Sequence, residues 1–215
     1  MAVITITRLY GAGGEPVGHR LAEHLGWNLL DRRIIDEVAA RLEMPDSEVE
    51  ARDEKPSSFL DQLLVALGST SIDFAGTGDA PAWSPPFEQS ALDTRKAVVR
   101  ITQEVIREAA RGNAVIIGRG SAYVLSDHPA ALHVFLHAPV EFRLRTVMET
   151  YDLTEEEAKK RLKETDANRE AAIKQIYGHT WWLPSHYDLV LDTARFGFDG
   201  AEAVILAAAR SKLGI

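Results

Sequence analysis

Residues 3–16 read Val3-Ile4-Thr5-Ile6-Thr7-Arg8-Leu9-Tyr10-Gly11-Ala12-Gly13-Gly14-Glu15-Pro16. Five β-branched residues in a row predict a strand over 3–7. The glycines of 11–14 predict a tight turn, and the apolar positions Val17, Leu21 and Leu25 predict a helix from about Pro16 to Leu25. Proline suits a first helical turn, where its missing N–H costs nothing, and Gly26 suits a helix stop. A strand passing through glycines into a helix start is the arrangement that cradles phosphate. Backbone N–H groups approach the anion, and the helix terminus adds partial positive charge. The same pattern also makes a turn that binds nothing. A nucleoside-triphosphate loop ends in Gly-Lys-Ser/Thr. Aligned on the glycines, Gly14 stands at the lysine position and Pro16 near the hydroxyl.

Outward from this turn, strands and helices alternate. Trp27–Leu30 is a second apolar segment ending at Asp31, and 33–42 reads as a helix. Residues 44–58 are polar and acidic, a short helix is expected over 58–67, and 68–90 reads as a long loop. A long helix is expected over 91–111. The uninterrupted apolar runs 114–117 and 131–136 suit strands of a parallel sheet covered on both faces. Helices are expected over 140–151, from the capping box Thr154…Glu157 to about Thr165, over 166–177 and over 200–213, with a last strand at 187–193. The fold class is α/β, a doubly wound parallel sheet, whose ligands sit at the carboxyl ends of the strands.

Composition narrows the function. The net charge of −8 argues against a general nucleic-acid binder. The absence of cysteine rules out disulfides and thiolate metal sites. No apolar window approaches the ~20 residues needed to span a membrane, and nothing near Met1 resembles a signal peptide, so a cytoplasmic protein is expected. Histidine spacing gives no metal site and no Gly-x-Ser-x-Gly elbow occurs.

The candidate chemistry lies at the strand ends. Arg8 precedes the turn and could supply the cation that Gly14 lacks; the alternative is an ordinary surface arginine. Arg119, between Gly118 and Gly120, suits bidentate phosphate binding, or else a salt bridge. Asp31 could hold Mg²⁺ through water, bind a nucleoside, or cap the helix that follows. Arg143, Arg145, Arg161, Lys163 and Arg169 lie on successive helices and form either a phosphate-facing group or a solvated face. Asp188 and Asp192 are expected to stabilise loops. Trp83, Trp181 and Trp182 suit flap or interface contacts as well as core.

Taken together, "ITITRLYGAGGEPVGHRLAEHLGWNLLDRRII", "AVIIGRGSAYVL", "ALHVFLHAPVEFRLRTVM", "ANREAAIKQIYG" and "HYDLVLDTARFGFDGA" resemble the cytidylate kinase-like family of the nucleoside monophosphate kinase group. The resemblance covers most of the chain outside about 44–95. It implies a single P-loop nucleoside triphosphate hydrolase-like domain, with an inserted acceptor-binding flap within 44–95 and a helical lid over 140–180. It places Gly11, Ala12, Gly13 and Gly14 on the ATP phosphates and Asp31 and Arg119 on the acceptor nucleotide. Arg143, Arg145 and Arg169 fall on the lid arginines, with Asp166 beside them. The implied reaction is ATP- and Mg²⁺-dependent phosphorylation of a small nucleotide, CMP or dCMP, without nucleic-acid or membrane partners. Ordinary members carry Gly-Lys-Gly-Thr where this chain has Gly14-Glu15-Pro16, and Gly-Arg-Asp where it has Gly118-Arg119-Gly120. A catalytically inactive nucleotide-binding or regulatory protein of the same fold is the alternative.

Overall fold

The computed structural model describes residues 1–31, 38, 41 and 88–215, the side chains of 88–95 aside. The helices expected over 33–42 and 58–67, most of the insert, and Trp83 lie outside these residues. Five strands form one sheet: β1 Val3–Arg8, β2 Asn28–Leu30, β3 Ala114–Ile117, β4 Ala131–His137 and β5 Leu189–Asp192. Their order is β2-β3-β1-β4-β5 and every pairing is parallel. From β1 the chain crosses to the edge strand β2, fills the gap with β3, and then adds β4 and β5 on the other side of β1. This is the doubly wound arrangement, and it brings the turns after β1, β2 and β3 to one edge.

The side chains of β1 from Val3 to Thr7 point into covered faces. Ile4 and Ile6 join Val115, Leu132, Val134 and Leu136 against α1 (Gly14–Leu25) and α6 (Thr193–Leu213). Val3 joins Ala114 and Ile116 on the opposite face, against α2 (Glu88–Ala109) and α3 (Ser121–Val124). The threonines of β1 are buried too. Thr5 satisfies its hydroxyl on His133 Nδ1 at 2.8 Å, a bond from β1 to β4 inside the sheet. Among the described residues no helix is long and apolar enough to cross a membrane.

Three element boundaries differ from the sequence expectation. The two helices expected on either side of Thr165 are one helix, α5, Glu155–Tyr177. Its buried residues Ala158, Leu162, Thr165, Arg169, Ala172 and Ile173 step by three and four along one face, so packing carries the helix through Thr165. Its start has the expected capping box on Thr154 and Glu157. The last helix begins at Thr193 rather than Gly200, capped by Asp192, and is interrupted at Gly197, whose φ of 65° and ψ of 174° are non-helical. α2 begins at Glu88, so 88–90 belong to a helix and not to the expected loop. The remaining helix, α4, is Val140–Tyr151. Trp181 is buried against Phe135, whereas Trp182 is exposed.

His133 anchors a polar chain across the sheet edge. Its backbone N–H donates to Asp188 Oδ2 at 2.8 Å, and Asp188 pairs with Lys212 at 2.5 Å. Burial holds the His133 imidazole pKa below its ordinary value; Lys212 and His128 act in the same direction and Asp188 opposes them. The unfolded chain therefore takes up this proton first, at about pH 6.5. The stability gained by keeping His133 neutral is complete above that pH and is lost as pH falls below it. Urea unfolding between pH 7.5 and 5.5 is expected to show falling stability, with a shallower fall in His133→Gln. Equal slopes in both proteins would contradict this origin. Asp188, whose pKa is held low by the His133 N–H and Lys212 despite burial, contributes only in more acidic solution.

Candidate functional site

The turn between β1 and α1 is fastened from behind. Leu9 N–H donates to Leu136 O at 3.0 Å and Tyr10 N–H to Asp166 Oδ1 at 2.8 Å. The buried Thr193 hydroxyl meets Ala12 O at 3.0 Å and His137 O at 3.2 Å. Close packing explains the glycines. A Cβ on Gly11 would lie 2.7 Å from Arg143 O, and one on Gly13 would overlap the Phe198 ring. The side without Cβ therefore faces protein, and the opposite side of the turn opens onto a cleft. α1 starts there with no side chain capping its first amides. These are the donors a helix leaves for an anion.

This cleft, of about 540 Å³ including its open mouth, lies between Arg8, Tyr10, the glycine turn, Glu15, Thr150, Tyr151, Arg169 and Phe198. Tyr10 and Tyr151 are stacked with centroids 6.2 Å apart, and Arg161 lies 4.4 Å from the Tyr151 centroid and 5.7 Å from that of Tyr10. A second cleft, of about 350 Å³, lies between Thr7, Arg8, residues 118–120, Arg169, Ile173 and Trp181. Its floor is strained. Gly118, Arg119 and Gly120 have φ of 75°, 58° and 68°, and a positive φ is uncommon outside glycine. Such strain at a strand end is characteristic of ligand sites. Arg119 also lines a narrower pocket with Thr102 and Tyr177.

Arg8 and Arg169 line both clefts. Arg169 Nη1 donates to Arg8 O at 3.2 Å, and its guanidinium lies 5.5 Å from the Tyr10 centroid. Burial lowers both pKa values from the ordinary arginine range, and for Arg169 the neighbouring Arg8 charge adds to the effect. Glu15, 4.0 Å from Arg8 Nη2, and Asp166 oppose the shift. Arginines stay protonated under such conditions. The pair is thus a buried cationic site with Glu15 and Asp166 as nearby carboxylates.

The expected site residues separate into three groups. Gly11, Gly13, Gly14, Arg8 and Arg169 come together around the first cleft, with Ala12 buried behind it on Thr193, and Arg119 joins Arg8 and Arg169 at the second. Asp31 lies at the neighbouring strand end, since Leu30 pairs with Ile116, and it faces His19 Nε2 at 3.3 Å. Arg145 is exposed on α4 and lines neither cleft. Arg143, expected among the lid arginines, lies apart from the lining of both clefts. It is buried, with Nε donating to Ala138 O at 3.1 Å and Nη1 to Tyr10 O at 3.1 Å and to Asp166 Oδ2 at 2.6 Å. Its guanidinium holds the turn from behind and does not line the cleft. Asp166 has the same role, joined to both Tyr10 and Arg143. Tyr10, Tyr151, Phe198 and Thr193 were not singled out in the sequence. Only Tyr10 carried a signal, as an aromatic residue directly before the turn. Among the described residues no three His, Cys, Asp or Glu side chains are grouped as metal ligands.

The model of the cytidylate kinase-like family matches residues 3–195. The chain belongs to the cytidylate kinase-like family. A cytidylate kinase of Methanopyrus kandleri is 30% identical over 216 residues, covering 96% of this chain and 92% of that one. A cytidylate kinase of Pyrococcus furiosus is 30% identical over 206 residues, covering 96% and 87%. Among solved structures, an uncharacterised protein of Eubacterium ventriosum aligns with a TM-score of 0.68 at 20% identity over 98% of this chain and 99% of that one. A shikimate kinase of Bacteroides thetaiotaomicron aligns with a TM-score of 0.51 at 12% identity, over 96% and 97%. These structural matches establish the P-loop kinase fold. In this cytidylate kinase-like chain the glycine turn joins β1 to the start of α1 at the carboxyl edge of the parallel sheet.

Removing Arg143 should therefore act on stability. Arg143→Met leaves the partly buried Asp166 without its salt-bridge partner and is expected to lower unfolding free energy by about 2–3 kcal/mol. Asp166→Asn should be strongly non-additive with it in a double-mutant cycle. A urea midpoint unchanged in Arg143→Met would return Arg143 to the phosphate-facing group.

Proposed function

We propose that this chain transfers a phosphoryl group from ATP to a nucleoside monophosphate, CMP or dCMP. The observation that carries the reading is the junction of the two clefts at Arg8 and Arg169. The first cleft would take the triphosphate, with its phosphates on the uncapped start of α1. The second would take the acceptor phosphate, with Arg119 as its bidentate partner and Asp31 at the adjoining strand end for the nucleoside. The terminal phosphoryl then lies where the clefts meet. Its bond to the β-phosphate oxygen breaks as an acceptor phosphate oxygen forms the new one. The charge of the transition state is spread over the equatorial oxygens. Two desolvated guanidiniums at that place stabilise it without reorganisation.

The residues fit a triphosphate better than they fit a metal held by protein alone. Mg²⁺ would enter with the phosphates and neutralise charge between them, and Glu15 is the carboxylate lining that cleft. The M. kandleri and P. furiosus relatives support the nucleotide acceptor. The absent lysine and hydroxyl support the second reading, a protein that binds nucleotide without turnover.

A coupled assay with ATP, Mg²⁺ and a panel of monophosphates separates the two. Turnover with CMP or dCMP above other acceptors is expected. Arg119→Ala should raise the acceptor KM at least tenfold, the value of one charge-assisted bond. Calorimetric binding of ATP and CMP without turnover at high enzyme concentration would favour the second reading. Absence of binding would overturn both.

A further inference from the structure

The position vacated by the phosphate-loop lysine is not empty space. A Cβ on Gly14 would lie 2.6 Å from Cγ and 3.0 Å from Cδ of Arg8. A Cβ on Gly118 would overlap Arg8 Nη1. The Arg8 side chain thus leaves the end of β1, crosses the first residue of α1, and ends over the turn after β3. Both glycines are kept small by this path. Gly14 has no positive φ, so its backbone alone would accept alanine. The side chain is only 16% exposed, and it lines both clefts.

We infer that Arg8 is the phosphate-loop cation of this chain, moved from the helix start to the strand end, with Gly14 and Gly118 forming its seat. The inference deepens the proposed function and rests on it for the identity of the anion. A lysine at residue 14 would offer a point charge, whereas the Arg8 fork offers two parallel donors to phosphate oxygens. Glu15 is its resident counter-ion at 4.0 Å, half-exposed and on the open cleft, where an incoming phosphate can displace it. Lysine at 14 and arginine at 8 compete for one volume. Inserting the lysine alone is therefore harmful, and it becomes useful only when Arg8 is cut back.

Two readouts on the full chain test this. In urea denaturation, Gly14→Ala should lower the midpoint in the presence of Arg8 and have little effect in an Arg8→Ala background. Equal losses in both backgrounds would overturn the seat. In calorimetry with inorganic tripolyphosphate, Arg8→Met should weaken binding at least tenfold. Gly14→Lys alone should not tighten binding, and Gly14→Lys with Arg8→Ala should return it to within about threefold of the natural protein. Unchanged binding in Arg8→Met, or no tripolyphosphate binding by the natural protein, would overturn the assignment. Arg8-dependent binding without turnover of any nucleotide would uphold it while rejecting the kinase reading.

Discussion

Two guanidiniums held next to each other out of water are the constraint around which this site is built. Arg8 and Arg169 repel, and burial makes each more costly to keep charged. The fold offsets that cost locally. Arg169 donates to the Arg8 carbonyl and lies over the Tyr10 ring, while Glu15 and Asp166 supply negative charge nearby. A purely structural ion pair would be balanced at closer range, as Arg143 and Asp166 are at 2.6 Å. The Arg143–Asp166 pair faces the turn from the protein side, whereas Arg8 and Arg169 line the clefts.

Tethering and binding use opposite sides of the same turn. Asp166, Arg143, Thr193 and Phe198 grip residues 10–13 from the protein side. The glycines are needed there, where backbone meets backbone and ring, and not only where a ligand would approach. The consequence for chemistry is rigidity. Amides at the start of α1 are presented by a loop fixed at several points before any ligand arrives, which is what electrostatic preorganisation requires. All four of these residues lie on α4, α5 and α6, so the helices that follow β4 set the geometry of a turn that follows β1.

Much of this was legible in the sequence. The β-branched run of 3–7, the buried strands 114–117 and 131–136, and the capping box at Thr154 carry strong local signals, and all appear in the fold. The break expected at Thr165 failed because polar residues in the middle of a helix look like a boundary when the packed face is unknown. The placement of Arg143 is hidden from sequence for a related reason. Sequence gives an arginine on a helix but not the direction of its side chain, and tertiary hydrogen bonds decided that direction. Asp166 and Thr193 act through contacts more than 150 residues away in the chain, which no local pattern encodes.

The variant loop is also more consistent than a list of losses suggests. Gly14 removes a lysine and clears the path that Arg8 follows. Pro16, in the first turn of α1, removes a hydroxyl and one backbone N–H, so fewer donors remain at the helix start. Glu15 places a carboxylate beside the same amides. Each change shifts positive charge away from the helix terminus, and each leaves Arg8 with a larger share of the field in the cleft. Charge has moved by one strand-to-helix step while the anion's place at the sheet edge has stayed where a doubly wound fold puts it. A guanidinium reaching that place from β1 approaches between the two clefts instead of along the triphosphate. In the proposed phosphoryl transfer, such a site would neutralise the group in transit more directly than the group being held, which would favour the transition state over the bound donor.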